Sequence, residues 1–225
     1  MKVTHVKICS VQEIEHALAA ARAGADYVGF NFVPGARRHL PEEKARRMVQ
    51  AFRQAYPAGG LKLVGIFADQ PVEEMNRILE ACDLDMAQLS GHEPLEYCQG
   101  VARPTIKAVH VDATDDLARL HALLAELEQA GILPLLEPQV AGSYGGTGQM
   151  VDWGLARELA ASHRFLLAGG LTPENVARAI REVRPWGVDV SSGVETNGVK
   201  DLQKIGAFIR QAREAFALTH QREKE

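Results

Sequence analysis

Short apolar runs alternate along the chain with longer stretches in which apolar residues recur at helical spacing. Each short run is nearly uniformly apolar, which is typical of parallel strands that are covered on both faces. Strands that alternate with helical stretches favour βα units around a parallel sheet. We therefore predict eight strands, at residues 6–9, 27–32, 62–67, 86–89, 105–109, 133–137, 165–168 and 187–190.

The stretches between the predicted strands have the periodicity of amphipathic helices, as in residues 11–23. Prolines mark several of the helix starts. Thr172 precedes Pro173, so the threonine can accept a hydrogen bond from an unpaired amide while the proline takes the first helical position. Pro41 and Pro71 mark two other helix starts in the same way.

Eight βα pairs in 225 residues average about 28 residues per pair, which is enough for a compact (β/α)8 barrel. Periodicity does not show whether a sheet closes, so a doubly wound open sheet is the alternative fold. The sequence contains no linker and no low-complexity segment. We therefore predict one α/β domain over residues 1–225, a single (β/α)8 TIM barrel, with residues 218–225 as a frayed C-terminal tail.

Composition narrows the class of protein. The chain is 46% hydrophobic and 24% charged, and 25 basic against 29 acidic residues give a net charge of −4. Such an interspersed balance argues against binding to nucleic acid or to an anionic membrane. No apolar run is long enough for a signal peptide or for a span of about 18 residues. We expect a cytoplasmic protein.

Cysteine and histidine spacing gives no sign of a metal or disulfide framework. Cys9, Cys82 and Cys98 form an odd set without a CxxC pair, and the eight histidines show no HExxH spacing. We predict no metal. No dinucleotide or nucleoside triphosphate motif is present in the sequence either, so we predict no cofactor.

In a parallel barrel, ligands are held by side chains at the C-terminal ends of the strands and in the loops that follow. Glycines there let backbone N–H groups approach an anion, and the last two strand ends are the usual phosphate position of such barrels. The candidates from this rule are Cys9, Arg37, Arg38, Asp69, Ser90, His92, Glu137, Gly145–Gly148 in the GGTG sequence, Gly169, Gly170 and Ser191–Gly193.

Cys9 and Glu137 are candidates for a base and an acid that act in one pocket. Cys9 is either a small buried hydrophobe or a base whose thiolate is favoured by its neighbours. Glu137 terminates an otherwise apolar strand, and burial favours the protonated form that a general acid requires. A salt bridge from Glu137 to a barrel neighbour such as Lys7 is the structural alternative. Cys82 and Cys98 fall in helical stretches, where packing explains them.

Motifs spread over nearly the whole chain resemble one family, phosphoribosylanthranilate isomerase of tryptophan biosynthesis. Each motif is short, and their order and spacing make the resemblance specific. They are Lys7-Ile8-Cys9, Gly24-Ala25-Asp26, Val28-Gly29-Phe30, Gln88-Leu89 with Gly91, Gly145-Gly146-Thr147-Gly148 with Asp152-Trp153, Leu167-Ala168-Gly169-Gly170-Leu171 with Pro173-Glu174-Asn175-Val176, and the stretch from Gly187 to Glu195 with Lys200-Asp201.

The resemblance implies a cofactor-free Amadori rearrangement of N-(5′-phosphoribosyl)anthranilate to 1-(2-carboxyphenylamino)-1-deoxyribulose 5-phosphate. In that family an acid opens the ribose ring and a cysteine removes the C2′ proton. The cysteine matches Cys9, and the acid matches Glu137. The substrate-binding residues implied are Lys7, Arg38 for the anthranilate carboxylate with Arg37 one position away, and Gly169, Gly170, Ser192 and Gly193 for the phosphate. Gly146 and Gly148 belong to the loop that closes over the substrate.

Three positions depart from the family pattern. The acid is Glu137 instead of aspartate, the residue after the cysteine is Ser10 instead of glycine, and Ser90 replaces the histidine before Gly91. A related phosphosugar-binding barrel with a changed substrate, or a weakly catalytic binding protein, is therefore the alternative function. The expected partner is a small phosphoribosyl substrate, with no nucleic acid and no membrane, and the expected assembly is a monomer or homodimer.

Overall fold

Eight parallel strands close into a barrel in which each strand pairs with its sequence neighbours and β1 pairs with β8. The computed structural model describes residues 5–57, 59–112, 114–139 and 149–222. For residues 218–222 it describes the backbone alone. The barrel strands are β1 (His5–Ile8), β2 (Tyr27–Asn31), β3 (Lys62–Phe67), β4 (Met86–Leu89), β5 (Thr105–Val111), β6 (Leu133–Pro138), β7 (Leu166–Leu167) and β8 (Gly187–Val190).

Helices follow the strands and cover the outside of the barrel. They are α1 (Ile14–Ala23), α2 (Glu42–Ala55), α3 (Val72–Ala81), α4 (Leu95–Gln99), α5 (Leu117–Gln129), α6 (Trp153–Ala160), α7 (Val176–Val183) and α8 (Leu202–Arg222). The backbone of residues 218–222 is therefore helical, while residues 223–225 of the predicted tail lie outside the described residues. No described helix has the length and apolar character needed to cross a membrane.

The predicted (β/α)8 barrel is confirmed, and the open-sheet alternative is wrong. Hydrogen bonding between β1 and β8 closes the sheet, because His5 to Ile8 pair in register with Gly187 to Val190. The strands β3, β4 and β8 have the predicted bounds, and the ends of the other strands shift by one or two residues. The largest differences are in β7, which has only two residues, and in β5, which continues to Val111.

Two of the three predicted proline starts are confirmed. Pro41 and Pro71 directly precede α2 and α3. The third is wrong, because α7 begins at Val176 rather than at Pro173. Thr172 accepts a hydrogen bond from the amide of Glu174, as expected of a capping threonine. Residues 173–175, between Thr172 and the start of α7, form a turn instead of the first helical turn.

A short antiparallel hairpin after β8 was not predicted. It consists of β9 (Glu195–Thr196) and β10 (Val199–Lys200), which pair Glu195 with Lys200. Asn197 and Gly198 connect the two strands with φ of 52° and 80°. Asn-Gly is the strongest short-range hairpin signal, so the sequence does contain the evidence for this turn.

Alternation along the strands sorts the core into two layers. Val6, Ile8, Val188 and Val190 point outward into the large cluster beneath the helices. The residues between them therefore point into the barrel lumen. A smaller apolar cluster fills the lower lumen with Tyr27, Val64, Ile106, Ala108, Leu135, Leu166 and Ala168. The polar residues that lie two residues further along the strands point into the lumen by the same alternation, and they line the C-terminal mouth of the barrel.

Candidate active site

A cavity of about 500 Å³ opens at the C-terminal ends of the strands. This volume is in the usual range for sites that hold small ligands. Seven predicted site residues line it: Cys9, Arg38, Glu137, Gly169, Gly170, Ser192 and Gly193. Gly146 and Gly148 lie outside the described residues. Lys7 is fully buried and is not among the lining residues.

Lys7 lies beneath the cavity in a buried ion pair with Asp189. The Lys7 Nζ donates to Asp189 Oδ1 at 2.8 Å, and the two residues are register partners across the β1–β8 seam. Burial favours the neutral amine, but the charges of Asp189 and Cys9 outweigh it and raise the pKa of Lys7 to about 12. Lys7 is therefore not the barrel neighbour that pairs with Glu137; the neighbour in contact with Glu137 is His110, whose Nε2 lies 3.0 Å from Oε1 of Glu137.

Asp189 lines the cavity and was missed by the sequence analysis. Burial raises the pKa of its carboxyl, Lys7 opposes this, and the negative charge of Glu137 raises it further. Its signal was present in the sequence, because an aspartate in the middle of the apolar strand Gly187–Val190 requires a partner or a function.

Cys9 follows β1 and is 7% exposed at the cavity wall. Burial and the charge of Asp189 raise the pKa of its thiol, while Lys7, Ser10 and Lys200 act in the opposite direction without reversing the shift. Because Asp189 balances Lys7, the nearest cation does little to ionise Cys9. The free protein therefore holds Cys9 mainly as a thiol at neutral pH.

Ser10 stands where the resembled family has glycine, and its backbone has the conformation that glycine favours. Its φ is 57°, in the left-handed region that costs a residue with a Cβ about 1–2 kcal/mol. The Ser10 hydroxyl lies 3.5 Å from the Cys9 sulfur. The serine thus accepts backbone strain and brings a hydroxyl to the thiol.

Glu137 is the penultimate residue of β6 and faces the lumen, and its side chain is 9% exposed. Its Oε1 is 3.0 Å from Nε2 of His110, although the ring N–H direction does not meet hydrogen-bond geometry and Oε1 has no hydrogen-bond partner among the described residues. The distance shows a close contact between the two side chains, and the N–H direction shows that no hydrogen bond is formed between them in this conformation.

Arg38 is held at the cavity by Glu195. The Arg38 Nε and Nη2 atoms donate to the two Glu195 oxygens at 2.6 and 3.1 Å, and its side chain is 9% exposed. Arg37 donates to the same carboxylate at 2.7 Å but is 55% exposed. Lys200 donates to Glu195 at 3.0 Å and to the Ser191 carbonyl at 2.8 Å.

Glu195 was also missed by the sequence analysis as a site residue. Burial disfavours its ionised form, but hydrogen bonds from Arg38 and Arg37 and the charge of Lys200 lower the pKa of Glu195 to about 2. The Asn-Gly hairpin places Lys200 opposite Glu195. The Asn-Gly signal in the sequence therefore predicts that Glu195 and Lys200 lie opposite each other.

Glycines line the lobe of the cavity after β7 and β8. Gly169 has a φ of 89°, and a Cβ there would lie 2.5 Å from Pro138 Cδ. A Cβ on Gly193 would overlap the carbonyl oxygen of Leu171. The amides of Gly170, Ser192 and Gly193 make no hydrogen bond to another described residue. The lobe therefore offers unpaired donors that no side chain obstructs.

The remaining candidates divide between the cavity and its surroundings. Ser90 lines the cavity and accepts a hydrogen bond from Gln88 at 3.0 Å. Asp69 instead pairs with His92, its Oδ1 accepting from the backbone amide at 2.6 Å and its Oδ2 lying 3.1 Å from the ring Nδ1. Neither Asp69 nor His92 lines the cavity. The described residues contain no cluster of three or more His, Cys, Asp or Glu side chains suited to a metal ion.

Comparisons with known proteins bear on the identity of this site. The family model of N-(5′-phosphoribosyl)anthranilate isomerase matches residues 6–211. A relative of that name from Roseiflexus castenholzii is 48% identical over 213 residues, which are 93% of this chain and 98% of the relative. Phosphoribosyl anthranilate isomerase from Thermotoga maritima has a TM-score of 0.81 at 34% identity, covering 94% of this chain and 100% of that chain. Another isomerase structure, at TM-score 0.78 and 34% identity with the same coverage, contains reduced 1-(o-carboxyphenylamino)-1-deoxyribulose 5-phosphate.

The closed barrel and the ionisable groups gathered at its C-terminal mouth define a (β/α)8-barrel enzyme. The match over nearly the whole chain narrows that class. The protein belongs to the N-(5′-phosphoribosyl)anthranilate isomerase family.

The raised pKa of Cys9 predicts a pH dependence for its alkylation. In a Cys82→Ala/Cys98→Ala background, iodoacetamide should react slowly at neutral pH and faster as the pH rises past 9.0, the ordinary value for a thiol. The thiolate is the nucleophile, so the rate follows its fraction. Stopped samples analysed by mass spectrometry give the rate at each pH. A rate that is already constant below pH 9.0 would contradict the raised pKa.

The lowered pKa of Glu195 predicts a contribution to stability that acid removes. A group with pKa 4.5 in the unfolded chain and about 2 in the folded protein stabilises fully above pH 4.5 and loses this effect as the pH falls toward 2. Urea unfolding of Glu195→Gln should therefore depend less on pH in that window than unfolding of the parent. Glu80→Gln on the exposed face of α3 is the control, and equal pH dependence of the parent and Glu195→Gln would exclude this contribution.

Proposed function

We propose that this protein catalyses the Amadori rearrangement of N-(5′-phosphoribosyl)anthranilate to 1-(2-carboxyphenylamino)-1-deoxyribulose 5-phosphate, without a cofactor. The observation that carries the proposal is one cavity that holds Cys9 and Glu137 together with Arg38 and the glycine lobe. Family membership supports the same reaction, and the related structure with a bound reduced product supports the substrate class.

In this proposal the ends of the cavity bind the two anionic ends of the substrate. The amides of Gly170, Ser192 and Gly193 donate to the phosphate. Arg38 binds the anthranilate carboxylate with the part of its guanidinium that Glu195 does not engage, since Glu195 takes Nε and Nη2. Gly169 keeps its loop free of a side chain that would obstruct the phosphate.

Glu137 and Cys9 then move the protons. Glu137 donates its proton to the ribose ring oxygen, so the C1′–O bond breaks and an imine forms between C1′ and the anthranilate nitrogen. The Cys9 thiolate removes the proton from C2′, which converts the imine to an enolamine. The Cys9 thiol then gives its proton to C1′ while the C2′ hydroxyl proton leaves to water, which gives the ketone and restores the thiolate. The product is an isomer of the substrate, so no net proton or electron is gained.

Lys7 acts on this chemistry from beneath the cavity in our proposal. Its ammonium is paired with Asp189 and lies near Cys9, so it favours the thiolate that accepts the C2′ proton. The substrate-binding role that the sequence suggested for Lys7 becomes an indirect one. Gly146 and Gly148 keep their proposed place in the loop that closes over the substrate.

We place the protein in the cytoplasm, with a small phosphoribosyl compound as its partner and a monomer or homodimer as its assembly. Three free cysteines, none of them in a disulfide, are typical of a reducing compartment. The proposal involves neither nucleic acid nor a membrane.

Turnover of N-(5′-phosphoribosyl)anthranilate, followed as loss of its fluorescence, tests the function and its two central residues. Cys9→Ala and Glu137→Gln should each lower kcat by roughly 100-fold or more, the scale of a positioned acid or base, with little change in ligand affinity. Cys82→Ala is the matched control for Cys9→Ala and should turn over normally. A parent that binds the substrate without converting it would favour the alternative of a changed substrate or a binding protein.

Arg38 should discriminate substrates by their carboxylate. Lysine has a point charge and cannot bond Glu195 and a carboxylate in the same fork geometry. Losing one charge-assisted contact of about 1.5–3 kcal/mol corresponds to roughly 10–100-fold in affinity. Arg38→Lys should raise KM by that factor for the natural substrate and far less for the phosphoribosyl aniline analogue. The control is Arg37→Lys; a larger effect there than at Arg38 would make Arg37 the contact.

Gly193→Ala tests the phosphate lobe. The new Cβ overlaps the Leu171 carbonyl, so the loop and its amides must shift. We expect competitive inhibition by inorganic phosphate to weaken by roughly 10-fold or more. Gly206→Ala, in α8 with no atom within 4 Å of the new Cβ, is the control. Unchanged phosphate inhibition in a folded Gly193→Ala protein would remove this lobe from the site.

A further inference from the structure

His110 and Glu137 meet at the mouth of the barrel on neighbouring strands. They are register partners in the β5–β6 pairing, and the alternation that turns Ile106 and Leu135 into the lumen turns both of them the same way. Nε2 of His110 is 3.0 Å from Oε1 of Glu137. The distance is that of a hydrogen bond, and a proton can pass between the two groups once the imidazole N–H points at Oε1.

The two side chains belong to different cavities. Glu137 lines the cavity that holds Cys9, whereas His110 lines a second cavity of about 800 Å³ between β5, α5 and the loop after β4. The side chain of His110 is 20% exposed, against 9% for Glu137. His110 therefore stands between the buried carboxyl and the outer cavity.

Several charged groups surround His110. Glu137 on β6 is the nearest, and the ring of His92, itself paired with Asp69, has its centroid 6.4 Å from that of His110. Lys107, Glu93, Asp115, Arg119 and Glu126 line the same outer cavity, and Lys107 is engaged by Glu93 at 2.7 Å.

A general acid must recover its proton after each turnover. Glu137 becomes a carboxylate when it gives its proton to the ring oxygen, and it is then enclosed by the substrate in the inner cavity. Its Oε1, which has no hydrogen-bond partner among the described residues, faces Nε2 of His110.

We propose that His110 returns the proton to Glu137, as a relay between water in the outer cavity and the buried acid. The imidazolium of His110 gives its Nε2 proton to Oε1 of Glu137, which restores the carboxyl and leaves a neutral imidazole. The imidazole then takes a proton from water, and the C2′ hydroxyl proton of the substrate leaves to water, so protons balance over the cycle. This inference rests on the function proposed above.

The test compares His110→Gln and Glu137→Gln, singly and together, in the turnover assay. Because His110 acts through Glu137 and does not touch the substrate, we expect His110→Gln to lower kcat by about 10-fold or more, within the scale of proton-transfer groups, and to leave KM within about 2-fold. The double variant should be no slower than Glu137→Gln alone, since the relay has no function without the acid. Added imidazole should restore kcat of His110→Gln.

Controls separate this role from a structural one. His121→Gln is the matched control. His121 lies on α5 outside the barrel, and its Nδ1 is 2.9 Å from Nε2 of His163. This variant should keep the parent kcat. His110→Asn provides a second variant if His110→Gln does not fold. An unchanged kcat in a folded variant, additive losses in the double variant, or failure of imidazole to restore kcat would each overturn the relay. A parent without turnover would instead overturn the proposed function, and the relay with it.

Discussion

The seam between β1 and β8, which closes the barrel, also carries the ion pair between Lys7 and Asp189. Both residues are in register and point into the lumen. A slip of one residue would turn every side chain of a strand to the opposite face. The charge on the slipped strand would then lie in the apolar layer beneath the helices, and its partner would stay unpaired in the lumen; both are very unfavourable. The pair therefore favours the one register in which both charges are satisfied, and that register places Cys9 beside the substrate cavity.

The same pair sets the electrostatics of Cys9, which we propose as the base. Lys7 is close enough to Cys9 to favour a thiolate, yet Asp189 neutralises most of that effect, and burial dominates. The result is a thiol that is weakly ionised in the free protein. A base of high pKa is a strong proton acceptor once it ionises. Cys9 is thus mainly a thiol in the free protein, and its neighbours Lys7, Ser10 and Lys200 favour the thiolate.

Glu195 has the corresponding role at the other end of the cavity. One carboxylate takes hydrogen bonds from Arg37, Arg38 and Lys200, so it fixes the arginine that we propose for the anthranilate carboxylate. The hairpin that brings Lys200 to Glu195 is a four-residue ladder closed by an Asn-Gly turn. Two separate ion-pair clusters, one on the hairpin and one on the β1–β8 seam, thus hold the residues that we propose for substrate binding and proton transfer.

The sequence by itself determined the alternation of strands and helices, because burial on both faces requires uniformly apolar strands and because helix faces repeat at their own period. It also determined that several site residues lie at or just after the ends of predicted strands: Cys9, Glu137 and the glycines after β7 and β8. Those strand ends meet at one mouth once the fold is a barrel. Closure could not be read from the periodicity, because it depends on hydrogen bonds between the first and last strands. For the same reason only the tertiary structure paired Lys7 with Asp189, Arg38 with Glu195 and His110 with Glu137. Strand register chooses the partners in the Lys7–Asp189 and His110–Glu137 pairs, and the hairpin after β8 brings Glu195 to Arg38. Each contact joins residues far apart in the chain, so no local pattern in the sequence records it.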